Sequence, residues 1–433
     1  MTRLLGTRAL ALSVLVALAA TFYAGAIAEA RHPHQFSPLP GPGNVQWVIP
    51  DPSFTPLAGA RALSGTYSGG AYRIEVPSNW NGELVLYAHG FRGSPPELTV
   101  SNPPIRSHLI ENGYAWAASS YRNNGYVPGV GAQDTLALKD LFTRLVGRPS
   151  RTYLYGTSMG GHVAMISAEF YPEAYDGILS ECGVVAGYEL FDFFTASAAA
   201  AEFLTGSDYR TGGSAETARI VSRLGTVAAP TQAGRQLASV MINISGGPRP
   251  FAIEGLAQFR DTDIGAGATA LFDPTASPVA MAATNSATNY TIAPGLGLTN
   301  AQLGGIRRKA ADPSFRNRSG PYAELAPFTG EIRVPVMQIK TTGDLFVPIV
   351  LEQRYLEIAK QAGTSHLLVQ RAIRAAGHCT FMNAEQVRAF DDLVRWVKYG
   401  IKPEGDDLSG DLRDVGRKFT SQLRPGDPGT LGP

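Results

Sequence analysis

Cysteine is nearly absent from this sequence. Cys182 and Cys379 are the only two in 433 residues. That excludes a cysteine-stapled scaffold, and two thiols are too few for a structural zinc site. In an oxidising compartment an even pair is still able to form one bridge. Charge is scarce as well. Charged residues make up 17% of the chain and the formal net charge is +1. This excludes the basic excess of a nucleic-acid surface and leaves a small neutral substrate open. Beyond the N-terminus no apolar run reaches the length of a membrane span. What the chain does hold is 44% apolar residues, 48 glycines and 30 prolines. These suffice for a large core divided by many turns and irregular connections.

The first 30 residues read as a leader. Arg3 and Arg8 give a positive start, residues 9–20 are apolar apart from Ser13, and Ala28-Glu29-Ala30 is a small-x-small cleavage pattern. The rival is a retained anchor. The short apolar run, followed by Tyr23, Gly25 and Glu29, favours removal, and no cysteine stands at the cleavage site to take a lipid. The expectation is a chain that starts near Arg31, is secreted or periplasmic, and has no membrane association afterwards. Sequons at Asn243, Asn289 and Asn317 matter only in a host that glycosylates.

Residues 31–60 are rich in proline and glycine and read as an irregular lead-in. Strand and helix patterns then alternate. Strands are expected at 71–76, 84–88, 114–120, 152–155 and 175–181, and helices at 107–112, 131–146 and 162–170. From about 186 to 330 the pattern changes to Ala, Gly, Ser and Thr, with helix-like pieces at 190–203 and 215–224. Regularity returns with a strand at 333–340, a helix at 349–361, a strand at 366–371 and a helix at 384–399. The expected fold class is α/β, with a mostly parallel central sheet and helices on both faces. A long unpatterned loop inside such a core is improbable, so 186–330 is expected to be an inserted cap with its own helices. It would separate the first part of the core (31–185) from the second (331–400). The polar, proline-bearing tail, 401–433, is expected to be loosely held.

Residues 156–160 read Gly156-Thr157-Ser158-Met159-Gly160, and Gly161 follows. This G-x-S-x-G stands between an expected strand and an expected helix, where a sharp turn exposes the serine hydroxyl. Without that context it would be a glycine-rich turn with a surface serine. A serine hydroxyl needs a base to take its proton, usually a histidine oriented by a carboxylate. In strand-turn-helix nucleophiles the acid comes next in the chain and the histidine last. Asp344, in Thr341-Thr342-Gly343-Asp344, lies just past the end of a strand, at the rim where open sheets bind ligands. Asp176, which precedes its strand, and Asp192 are weaker candidates. His378, in Ala375-Ala376-Gly377-His378-Cys379, falls in the loop after the last strand and is the expected base. His32, His34, His89, His108, His162 and His366 do not share its order and loop placement.

Acyl transfer also needs amides aimed at the developing oxyanion. The N–H of Met159, at the start of a helix, is one candidate. The loop His89-Gly90-Phe91-Arg92-Gly93 supplies the other, with Phe91 as the donor and His89 as a brace. Tyr121 and Asn123, past the strand at 114–120, are candidate substrate contacts, or they simply close the turn. Phe191, Phe193 and Phe194 either line a hydrophobic cleft or belong to the core.

Ser158, Asp344 and His378 in this order, with His89-Gly90 upstream, resemble the α/β-hydrolase superfamily over about residues 70–185 and 330–400, with 186–330 as a lid insertion. Tyr171-Pro172, Tyr175-Asp176-Gly177-Ile178 and Gly377-His378-Cys379 are similar to secreted esterases of the tannase and feruloyl-esterase type. In that family a cysteine beside the nucleophile pairs with the one after the histidine. Here Thr157 takes that position, and the other cysteine is Cys182. A Cys182–Cys379 bridge would pin the His378 loop to the sheet; two buried free thiols are the alternative. The resemblance implies an exported serine hydrolase acting on a small-molecule or polymeric carboxylic ester, with no metal and no organic cofactor. A peptidase or aminopeptidase on the same fold, a polyester depolymerase, and a non-enzymatic binding protein on a dead scaffold are the rivals.

Overall fold

The computed structural model describes Phe36 and residues 45–427. The expected leader, His32 and His34 lie outside the described residues. Eight strands form one sheet: β1 (Ala60–Tyr67), β2 (Gly70–Pro77), β3 (Glu83–Ala88), β4 (Ala115–Ser119), β5 (Arg151–Thr157), β6 (Gly177–Glu181), β7 (Val336–Gly343) and β8 (Leu368–Ala376). Their order is β1-β2-β4-β3-β5-β6-β7-β8. β1 and β2 run antiparallel at one side, and every pairing from β4 to β8 is parallel.

The strands are apolar on both faces because both faces are covered. Side chains alternate with period two. Leu84, Leu86, Leu154, Ile178 and Val336 join a core with α2 (Pro128–Leu145) and α3 (Met159–Phe170). Val85, Tyr87, Tyr153, Tyr155, Leu179 and Met337 face the other way, against α1 (Arg106–Glu111) and α11 (Asn383–Tyr399).

Between β6 and β7 lie six helices: α4 (Glu189–Thr205), α5 (Tyr209–Gly212), α6 (Glu216–Leu224), α7 (Gln232–Ile244), α8 (Ala252–Phe272) and α9 (Pro278–Ala282). Leu237, Leu256 and Ile264 from this block bury into the same core as Leu154, so insertion and sheet share one interior. After β7 comes α10 (Val350–Gln361).

Two expectations need correction. β1 falls where no strand was expected; it pairs only with β2, none of its residues is fully buried, and its apolar signal is weak. The tail is not loosely held over 401–427. β8 would otherwise leave a bare edge, and the tail fills it. Asp406 N–H donates to the Gln370 carbonyl (2.8 Å), and the Ala372 and Arg374 amides donate to Asp406 Oδ2 and Thr420 Oγ1, both at 2.8 Å. Leu408, Leu412 and Val415 pack on Ile349 and Ala372. No helix among the described residues is long and apolar enough to cross a membrane.

Candidate active site

The strand order, with parallel strands from β4 to β8 and helices on both faces, is that of the α/β-hydrolase fold, and its registers bring three distant segments to one rim. β3 and β5 pair Ala88 with Gly156, so His89-Gly90 and Ser158 emerge side by side. β7 and β8 pair Gly343 with Ala376 after a register shift at Thr341, so Asp344 and His378 leave the sheet as neighbours.

Ser158 sits at φ 58°, ψ −121°, a conformation few side-chain-bearing residues adopt. The turn holds because its glycines leave room. A Cβ on Gly156 would lie 2.0 Å from the Gly160 carbonyl oxygen, and one on Gly160 would lie 1.9 Å from the Ala88 oxygen. Ser158 N–H donates to the Glu181 carbonyl (2.9 Å), which ties the turn to β6.

The structure brings Ser158, His378 and Asp344 together. Asp344 Oδ2 lies 2.7 Å from His378 Nδ1, and His378 Nε2 lies 2.8 Å from Ser158 Oγ. A carboxylate only accepts, so Nδ1 carries the proton and Nε2 is left to accept from the serine hydroxyl. The other Asp344 oxygen accepts from Val347 N–H (2.9 Å). None of the Asp344 side chain is exposed, whereas 16% of His378 is, so the pair is dry behind and open in front. Asp176 and Asp192 lie elsewhere: Asp176 accepts from Thr152 N–H, and Asp192 accepts from Thr284 N–H and Arg316.

Gly90 abuts the nucleophile, and a Cβ there would lie 3.5 Å from Ser158 Oγ. The Phe91 amide follows directly, and the Phe91 ring is exposed. Met159 is the first residue of α3, so its amide has no partner within the helix. His89 stacks on Tyr121 at 4.1 Å, and its ring nitrogens face the Gly90 and Ser120 carbonyls. Burial, with Arg92 nearby, pushes it down to about 4, so it is neutral and structural.

Tyr121 does not meet the expectation of a substrate contact. It is fully buried, and its hydroxyl donates to the His89 carbonyl (3.2 Å), so it braces the loop from below. Asn123 is likewise engaged. In the orientation that satisfies both amide atoms it donates to the Arg122 carbonyl and accepts from the Trp47 indole.

Cys182 and Cys379 form a disulfide. His378 lies near both sulfurs, but the bridge consumes them and leaves no thiolate for a metal.

Aromatic rings continue outward from the histidine. Phe346, two residues after Asp344, meets His378 edge-on at 5.5 Å and packs on Phe194 and Phe259. Phe193 and Phe194 are buried, and Phe191 is half-buried between Tyr126 and Tyr188.

Beneath the nucleophile turn, burial pushes Glu181 up to about 7 from an ordinary 4.5. The folded state therefore keeps a proton that the unfolded chain releases above 4.5. This contribution to stability is fully present below that pH and is lost as pH rises through 7. Glu181→Gln removes it. Relative to that variant, the native chain is expected to lose up to about 3 kcal/mol between pH 5 and 8.5 in urea titrations. Parallel pH curves would contradict this.

No protein-family model matches the chain. It is 30% identical over 112 residues to o-phthalyl amidase from Xanthobacter agilis, a match spanning 25% of this chain and 24% of the amidase. Among solved structures it is similar to feruloyl esterase B from Aspergillus oryzae, at 15% identity and a TM-score of 0.47, covering 79% of this chain and 81% of that one. It is also similar to acylaminoacyl peptidase from Pyrococcus horikoshii, at 14% identity and 0.43, covering 81% and 44%. The two structural likenesses are too distant to speak to chemistry.

Proposed function

We propose that this chain is an exported serine hydrolase that cleaves carboxylic esters through an acyl-enzyme. What carries the reading is the unbroken hydrogen-bond line from Ser158 Oγ through His378 to Asp344. In this reading His378 Nε2 takes the Ser158 proton as Oγ attacks the ester carbonyl. The Met159 and Phe91 amides stabilise the oxyanion, each worth on the order of 3 kcal/mol of barrier. Collapse expels the alcohol, which takes the proton from Nε2. Water, activated by the same nitrogen, then releases the acid. Asp344 keeps Nδ1 protonated and steadies the imidazolium. The chemistry calls for no metal or organic cofactor. A disulfide beside the site and the leader-like first 30 residues support export.

A second reading, amide hydrolysis, is favoured by the stretch shared with o-phthalyl amidase. The same three groups would serve either bond, because the leaving amine also takes its proton from Nε2.

The test is labelling with a fluorophosphonate probe, followed by peptide mapping. Modification of Ser158 and none of Ser158→Ala is expected. Paired p-nitrophenyl esters and anilides of the same acids then rank the two readings. An unlabelled Ser158 in folded protein would end both.

A further inference from the structure

A lysine lies wholly inside this protein, directly behind the acid of the site. Lys340 is the fifth residue of β7, and none of its side chain is exposed. An unpaired ammonium so deep would be costly, so its surroundings must compensate for it.

Those surroundings are the parts that hold the site. Lys340 Nζ donates to the Gly183 carbonyl at 3.2 Å and to the Val347 carbonyl at 3.1 Å. Gly183 follows Cys182, which is bridged to the residue after His378. The Val347 amide bonds Asp344 Oδ1, so one residue touches the acid through its N–H and the lysine through its C=O. The ammonium is 3.9 Å from Asp344 Oδ2, the same oxygen that accepts from His378. Glu352 of α10 stands 3.2 Å from the ammonium and is buried as well.

We propose that Lys340, balanced by Glu352, is a positioning residue for the Asp344–His378 pair: it fixes the acid turn and sets how strongly Asp344 holds a proton on His378. The proposal rests on the reading of Ser158, His378 and Asp344 as the reacting groups.

The other charged groups around Asp344 fix the sign. Arg249 approaches from the segment before α8, its Nε donating to the Thr342 carbonyl (2.7 Å). Burial pulls it down to about 10, so it stays a cation. Asp263 of α8 is buried, and burial together with Asp344 holds it well above the usual carboxylate range. Burial lifts Glu352 to about 7 even though Lys340 pulls it down. Near neutral pH, Asp344 therefore faces two cations and a part-ionised Glu352. The cations draw on the negative charge that would otherwise hold a proton on His378. Removing Lys340 leaves Arg249 as the one remaining competitor with the histidine among these groups, so more of that charge holds the proton on His378.

Lys340→Met is thus expected to move the acid limb of the kcat/KM profile up by about one pH unit. It should also lower kcat about tenfold as the acid turn loosens. Glu352→Gln should move the limb the other way and by less, because Glu352 is only part-ionised near pH 7. A role confined to stability would move neither limb. Coincident limbs in both folded variants would overturn the proposal, and if Lys340→Met does not fold, an unmoved limb in Glu352→Gln does so alone. The downfield proton resonance of the His378–Asp344 hydrogen bond gives a readout free of turnover and is expected to shift in each folded variant. If Ser158→Ala retained activity, the catalytic reading would fail, and this resonance would still report whether Lys340 acts on the pair.

Discussion

Ser158→Ala is expected to lower kcat on a p-nitrophenyl ester by about 10⁵-fold or more, with KM little changed and the fold intact. The loss is large because the hydroxyl is the only reacting atom that substitution removes, while every other part of the site waits on it. The fold survives because the hydroxyl spends its hydrogen bond on His378 rather than on the framework of the turn. Alanine bears a Cβ as serine does, so the positive φ is no worse. Residual turnover slightly above the uncatalysed rate should remain, since the oxyanion amides persist. His378→Ala should cost a similar factor, and the double variant little more, because a nucleophile and its base act as one unit. Single-turnover kinetics beside circular dichroism measure both halves of the expectation. A well-folded Ser158→Ala at near-native rates would reject the proposed chemistry.

The second large effect is on the bridge. Converting Cys182 and Cys379 together to serine opens a covalent loop of 197 residues. The chain-entropy model puts a loop of that length at about 5 kcal/mol, and native-state relaxation commonly reduces it to between about 2 and 5. Activity should fall with stability, because Cys379 follows His378 and the loop has few other ties. The main one is Thr341 Oγ1 donating to the Gly377 carbonyl at 2.7 Å. A kcat loss of about tenfold is expected, on the scale of a misplacement near 1 Å. Urea midpoints and kcat measured on the same preparations separate this variant from Ser158→Ala, which moves only the second. A double serine variant equal to the native chain in both would show that the bridge merely decorates the site.

Much of this arrangement was legible beforehand, for reasons that vary by residue. The strand-turn-helix around Ser158 announces itself because tight geometry demands Gly156, Gly160 and Gly161. Asp344 and His378 follow from chain order and from strands that end where ligands bind. The insertion was less readable. α8 carries no clear one-sided stripe, because a helix buried among other helices does not need one. Gly255 and Gly267 in α8 look like breakers, yet they are contact points where a Cβ would strike the Gly343 and Phe194 carbonyls. Tyr121 stayed open between substrate contact and turn closure because sequence tells that a residue stands at the rim but not that it turns inward. Lys340 was visible all along as the one charge in the run Val336-Met337-Gln338-Ile339-Lys340. Its meaning depends on Glu352 and Val347, which only the folded chain places beside it. The tail gave no strand pattern because side-chain oxygens, rather than a ladder of backbone groups, supply much of its pairing with β8.

The sulfur link between residues 182 and 379 also changes what backbone cleavage means for this molecule. Every helix of the insertion, and Asp344 with them, lies within the ring it closes. A protease that cuts once anywhere in that ring yields two pieces that remain one molecule, with the serine on one piece and the histidine on the other, still fastened a few ångströms from where they meet.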